Sequence, residues 1–248
     1  DGEEVTHKLQ KSQHLIIGIE HDFSRYLTMN LEGYYKYFPQ LTNLNRYKIY
    51  DENTAPVDAT DIEKKDFLIE KGDAEGIDLS LKYNRDGIYL WTAFSYAFVN
   101  RYDGTQWYAP HYDRRYNLNL LASYTFGQQR QWEFSTRWNF GSGFPFTRTQ
   151  GYYEKLLFPD GINSDYLTEN GQLGIQYAEL NDGRLPTYHR LDFTFKRTFF
   201  FDENTELVAD FSITNVYDRE NVFYVNRVTS EVVRQLPIMP SFGLTFSF

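Results

Sequence analysis

Apolar and polar side chains alternate along nine stretches of this chain, at 14–23, 26–37, 76–84, 88–101, 115–126, 131–142, 189–200, 205–216 and 240–248. A period of two sends successive side chains to opposite faces of a pleated strand, so each stretch reads as a strand with one apolar and one polar face. The plainest is the last, where Phe242, Leu244, Phe246 and Phe248 alternate with Ser241, Gly243, Thr245 and Ser247. Left unpaired in water, such an aromatic strand is an aggregation site, so its apolar face calls for a covering phase.

Charge separates the faces. On the apolar side stand Leu15, Ile17 and Ile19, Leu27, Met29 and Leu31, Ile77, Leu79 and Leu81, Leu118 and Leu120, Phe134 and Trp138, Leu191, Phe193 and Phe195, and Leu207, Phe211 and Ile213, none of them charged. The opposite faces carry Glu20, Glu32, Lys36, Asp78, Lys82, Glu133, Arg137, Arg190, Asp192, Lys196 and Asp210. A lipid-facing wall around a polar lumen requires this division, because a charge at mid-bilayer costs about 2–4 kcal/mol. Tyr35, Tyr37, Tyr83, Tyr116, Tyr124, Phe126 and Trp132 fall near strand ends, where aromatic girdles meet the two membrane interfaces. A soluble sandwich also alternates, but its buried faces are mainly aliphatic. The pattern therefore predicts an all-β fold, a transmembrane antiparallel β-barrel.

Connections alternate short and long. Ser24–Arg25, Asn84–Gly87, Gly127–Arg130 and Phe201–Asn204 are tight turns, and long polar segments run over 38–75, 102–114, 143–188 and 217–239. In outer-membrane barrels short turns are periplasmic and long loops extracellular, so the chain starts outside, with residues 1–13, and reaches the periplasm at Phe248. Every proline falls in a loop or at a strand edge by this reading. Nine strands leave the first and last running the same way, and such a set cannot close antiparallel on itself. The chain reads as part of a larger barrel.

Composition adds limits. Tyr and Phe number 21 each beside 4 Trp, yet mean hydropathy is -0.59, which suits strands that are half in lipid and half in water. No run approaches the roughly 18 apolar residues of a spanning helix. A net charge of -9 leaves no basic stripe for nucleic acid. Cysteine is absent, so no thiolate metal site or cysteine nucleophile is available. Residue 1 opens no signal peptide, which predicts that one was removed or that the chain is the later part of a longer one.

Four segments together resemble the C-terminal barrel half of TonB-dependent outer-membrane receptors: Tyr34-Tyr35-Lys36, GSGFPFT at Gly141–Thr147, LPTYHRLDFTF at Leu185–Phe195, and ITNVYDRENVF at Ile213–Phe223 leading to the terminal PSFGLTFSF. The resemblance implies a 22-stranded barrel, of which residues 1–248 supply the last nine strands. It implies energised uptake of a scarce nutrient or chelate across a Gram-negative outer membrane. It also implies the partners: membrane lipid, the remaining strands and a plug on another segment or a second chain, the TonB complex acting through that plug, the barrel-assembly machinery and a surface lipoprotein. Phe242, Leu244, Phe246 and Phe248 would be the C-terminal assembly signal. The alternative is a structural or assembly-partner barrel component that no longer transports.

Independently of the resemblance, Gly141, Ser142 and Gly143 read as a bend at the long-loop rim, and Asn215 and Asp218 as side chains satisfying backbone freed where a strand ends. No cofactor or metal site is predicted. His7, His14, His21, His111 and His189 are scattered, and the acidic groups Asp58, Asp61, Glu63 and Asp66, and Asp160, Asn163, Asp165 and Glu169, lack EF-hand spacing and read as solvated loops. His111 and Asp113 are the best local polar cluster. Glu20 and Glu32 read as lumen charges rather than an acid pair for glycoside cleavage, and no nucleophile–base set is visible, so the chain does not read as an enzyme. Candidate ligand contacts are loop rings and one cation: Trp107, Tyr108, Tyr112, Phe144, Phe146, Arg148, Tyr152 and Tyr153. Rings of this kind also pack on one another to order long loops.

Overall fold

The computed structural model describes residues 9–51, 53, 55–155, 172–202 and 204–248. The chain runs through β1 (Lys11–Ser24), β2 (Leu27–Leu44), the short helix α1 (Asp61–Lys64), β3 (Phe67–Arg85), β4 (Ile88–Tyr102) and β5 (Trp107–Tyr108). It continues as β6 (Tyr116–Phe126), β7 (Trp132–Gly141), β8 (Pro145–Phe146), β9 (Thr149–Lys155), β10 (Gln172–Tyr177) and β11 (Gly183–Arg184). The remainder is β12 (Tyr188–Phe200), β13 (Glu206–Thr214), β14 (Val222–Val225), β15 (Val232–Arg234) and β16 (Met239–Ser247). One antiparallel sheet takes the order β1-β2-β3-β4-β6-β7-β12-β13-β16, with β5 added to β4. All nine strands expected from alternation are present.

Register confirms the two faces. Leu31 lies opposite Ile19 and Leu79, and Leu120 opposite Thr92 and Trp138. On the other face Lys196 lies opposite Glu133 and Asp210, and Asp192 opposite Arg137. Among the described residues no second layer covers the apolar face. Among the described residues only Leu41, Ala74 and Tyr108 are buried apolar residues, while Ile17 is 70% and Phe242 69% exposed. A sandwich would bury that face against a second sheet, whereas a barrel wall turns it to lipid. No described helix is long and apolar enough to cross a membrane.

The two rims differ as the connections require. Short turns join β1 to β2, β3 to β4, β6 to β7 and β12 to β13. The β3–β4 turn is Asp86-Gly87, both with positive φ (50° and 84°), the backbone that a two-residue hairpin matching strand twist demands. At the opposite rim the long loops carry their own hairpins, β9–β10, β8–β11 and β14–β15. Because β1 starts at the long-loop rim and β16 also runs away from it, both free edges point the same way.

Four details depart from the sequence reading. Strands β2 and β3 continue well past 37 and before 76, carried beyond the apolar band by their shared hydrogen-bond ladder. Pro39 therefore lies inside β2 rather than in a loop; the register shift between Phe38 and Leu41 absorbs its missing N–H. Helix α1 was not anticipated; Glu63 accepts the Thr60 N–H at 2.7 Å, a local cap with no apolar periodicity behind it. Finally, Arg197 occupies the apolar face of β12, continuing the Leu191, Phe193, Phe195 series and lying opposite Trp132 and Ala209.

Candidate functional site: cavities between the long loops

Two buried carboxylates organise the loops nearest the β2–β3 extension. The fully buried Glu70 accepts hydrogen bonds from the Tyr108 hydroxyl at 2.8 Å, Asn43 Nδ2 at 3.0 Å, and Arg46 and Arg101 at 3.4 Å each. Arg46 also lies 4.5 Å above the Tyr108 ring. Burial disfavours the Arg46 cation, but Tyr108, Glu70 and Asp103 hold its pKa above the ordinary value. Asp103 accepts Tyr47 Oη at 2.8 Å and the backbone N–H groups of Thr105 and Gln106 at 2.9 Å each. Burial opposes its charge, yet these donors keep its carboxyl below the usual range. Burial instead pushes the Tyr108 phenol up.

Asp113 performs the same task between other loops. It is fully buried, accepts Val99 N–H at 3.1 Å, and forms ion pairs with Arg115 at 3.0 Å and with Arg184. Arg184 also donates to the Asp113 and Gly143 carbonyls, so loop 103–115 is tied to loop 142–187. Next to it, Arg114 lies 4.4 Å over Phe144, its pKa lowered by burial, and its Nε is a buried donor with no partner among the described residues.

The two C-terminal motifs interlock. Asn215, fully buried with φ of 56°, accepts Arg219 N–H and donates to the carbonyls of Arg219 and Leu236 at 3.0 and 3.1 Å, while its own N–H reaches Asp192 at 2.9 Å. Asn221 brackets His189, accepting its N–H at 3.2 Å and donating to its carbonyl at 2.8 Å. Asp218 Oδ1 accepts Ile238 N–H at 2.7 Å. These are the freed backbone groups that short polar side chains were expected to satisfy. They fix loop 215–238 to the end of β12.

Three loops so anchored border an open cavity of about 410 Å³, whose walls include His111, Phe144, Phe146, Asn181, Tyr224 and Arg227. A second, of about 540 Å³, lies under the β14–β15 hairpin between Arg190, Arg234 and Leu236. Phe223 lines both. The Tyr152 hydroxyl donates to the Val228 carbonyl at 3.0 Å, and Arg227 lies 5.0 Å over Tyr177, so the β9–β10 hairpin holds the tip that carries Arg227.

Of the sequence candidates, Phe144 and Phe146 face the first cavity, and Tyr152 braces it. Arg148 is paired with Asp182. Tyr108 is buried and committed to Glu70, so its role is internal. Trp107, Tyr112 and Tyr153 are exposed, Trp107 against Tyr102 and Tyr112 under Arg101. Sequence reasoning missed Asn181, Phe223, Tyr224, Arg227 and Arg190 as cavity residues; the Phe223–Arg227 mixture of rings and a cation was the available signal. His111 and Asp113 are separated, the first lining the cavity and the second buried with arginines. Glu20 lies opposite Asn30, and the carboxylate opposite Glu32 is Asp78.

Asp61 pairs with Lys65, Asp66 with Lys48, and Glu63 caps α1. Among the described residues no three His, Cys, Asp or Glu converge on a metal position. His7, Asp160, Asn163, Asp165, Tyr166 and Glu169 lie outside the described residues. Phe242, Leu244, Phe246 and Phe248 form the apolar face of edge strand β16 and its end, with Phe246 against Phe201 and Phe248.

No family model matches the chain, and no curated protein matches it. Solved structures do. The ferripyoverdine receptor of the outer membrane of Pseudomonas aeruginosa, bound to ferripyoverdine, aligns over 97% of this chain and 27% of its own, at 13% identity and a TM-score of 0.57. The unliganded ferric citrate transporter FecA gives 96% and 31%, at 13% identity and 0.58. The Escherichia coli outer membrane transporter YddB gives 95% and 32%, at 10% identity and 0.54. At such identities the likeness shows the fold: this sheet has the architecture of part of an outer-membrane receptor barrel, as the resemblance to TonB-dependent receptors implied. The chain spans about a quarter to a third of the length of the structures it matches.

Proposed function

We propose that residues 1–248 are the C-terminal barrel part of a TonB-dependent outer-membrane receptor that takes up a scarce anionic chelate. The observation that carries this reading is the nine-strand wall, which matches receptor barrels over nearly its whole length while leaving two edges of the same direction. Antiparallel closure then needs an odd number of further strands, which the rest of the receptor would supply together with a plug that engages TonB. Long loops lie outside the cell and the β16 aromatics guide assembly into the outer membrane.

Chemistry of the loop cavity supports the ligand class. Phe144, Phe146 and Tyr224 offer rings to an aromatic or planar chelate, and Arg227 offers a charge-assisted donor fork to its carboxylate or catecholate oxygens. The test is uptake of labelled ferric chelates by cells with and without the intact gene, repeated after the energy-coupling protein is removed. Loss of uptake in both cases supports the reading. Uptake that is unchanged by deleting the gene, or that persists without coupling, overturns it. In the energised receptor Arg227→Ala should weaken chelate binding about tenfold, as loss of a charged hydrogen bond does.

A further inference from the structure

Arg197 breaks the rule of its own strand. The other charged residues on the apolar side stand where water or headgroups reach them: Lys71, Asp73 and Glu75 toward the long-loop end of β3, Lys11 at the start of β1, and Arg85 at a turn. Arg197 follows Phe193 and Phe195 and precedes Phe199 near the short-turn end of β12, on a face that no described residue covers.

Its surroundings determine where the charge goes. The guanidinium lies 4.4 Å over the Trp132 ring and 4.4 Å over the Phe199 ring. Phe199 is two residues nearer the short-turn rim, so the side chain runs toward that interface rather than into the apolar band, as a snorkelling arginine does. Rings against the guanidinium satisfy its faces but not its in-plane N–H donors. Among the described residues no carboxylate forms an ion pair with Arg197; the neighbouring Lys196–Glu133 pair belongs to the polar face. The residue is exposed. What remains is a cation whose donor edge no described residue uses, set among interfacial rings at the level of the bilayer headgroups.

We propose that Arg197, held between Trp132 and Phe199, binds the phosphate of a phospholipid headgroup at the short-turn interface. A planar fork of donors matches two phosphate oxygens, and the aromatic pair lowers the entropy lost when it does so. The partner is an anionic lipid of the bilayer rather than a soluble solute, because the donors open onto the lipid-facing side. This inference rests on the barrel-wall fold and not on the transport reading, so it stands or falls independently of uptake.

The test is native mass spectrometry of the whole protein, extracted from membranes in mild detergent and titrated with phosphatidylglycerol or with a phosphate-free galactolipid. The wild type should retain phosphatidylglycerol in preference to galactolipid, and Arg197→Gln should reduce that preference about fivefold, the usual effect of one basic residue at an anionic surface. Equal retention of both lipids by the wild type overturns the proposal without any variant. Equal phosphatidylglycerol retention by wild type and Arg197→Gln also overturns it. Displacement of the lipid by millimolar inorganic phosphate would make this a free-phosphate site and overturn the lipid assignment. Heat-modifiable gel mobility checks that the variant is folded, and Arg197→Lys, which keeps the charge but loses the planar fork, should lose part of the preference; an Arg197→Lys variant indistinguishable from wild type would overturn the two-oxygen fork.

Discussion

At the scale of single residues, the contrast between neighbours on β12 is the sharpest consequence of the fold. Phe193 packs on Phe134 with ring centroids 5.5 Å apart on the apolar face, whereas Thr194 bonds Ser212 at 3.0 Å on the polar face. Phe193→Arg should therefore cost about 2–4 kcal/mol and prevent assembly, while Thr194→Arg should be tolerated. Heat-modifiable mobility of the two variants decides it; equal tolerance of both would overturn the assignment of faces. Asp103 yields a pH prediction. Its folded pKa is depressed, so the unfolded loop binds more protons and the loop gains stability as pH rises. The contribution is complete above about pH 4 and is lost as pH falls through the folded value. Protease resistance of loop 103–108 should fall in that acid window, and Asp103→Asn should flatten the response.

At the scale of elements, the loops are ordered by buried polar side chains more than by apolar packing. Asn215 alone serves three backbone groups of loop 215–238 and occupies a left-handed conformation. Asn215→Ala should cost about 1–3 kcal/mol through unsatisfied buried groups and backbone strain. Hydrogen exchange should rise across 216–238 while β12 and β13 stay protected above their ends. Gly143 tests loop 142–187 in a different way. A Cβ there would sit 1.6 Å from the Leu185 carbonyl oxygen, an impossible contact with backbone. Gly143→Ala should separate the β8–β11 pairing from the rim and expose Phe144, seen as faster cleavage of that loop with the wall intact.

At the scale of the whole molecule, the sheet is an open wall edged by β1 and β16. Its apolar face is open and both of its edges run away from the long-loop rim. A second copy joined edge to edge in the same membrane orientation would set β16 parallel to β1, which an antiparallel barrel does not accommodate. If the proposed reading holds, a photo-crosslinking residue at Thr245 should capture a strand from outside 11–248. Capture of β1 would show closure by another route and overturn the strand-parity argument.

How much was legible follows from what period-two alternation encodes. Each wall strand lies between lipid and polar interior, so its face pattern is written locally, residue by residue, and nine strands, their turns and their faces were readable from sequence alone. The extensions of β2 and β3 were not, because above the apolar band the outward side carries Tyr37, Asp73 and Glu75 and the contrast that marks a strand disappears. The exception at Arg197 was hidden for a related reason: a charge at the headgroup edge costs little, and only its place over Trp132 and Phe199 reveals the use of that position. Loop rings were visible as a class, but alternation says nothing about which meet. Tertiary structure decided that Tyr108 is buried on Glu70 while Phe144 and Phe146 share a cavity with His111, Tyr224 and Arg227. Those meetings depend on ion pairs and side-chain-to-backbone hydrogen bonds between residues far apart in sequence, such as Asp113–Arg184 and Tyr152–Val228, which no local pattern encodes.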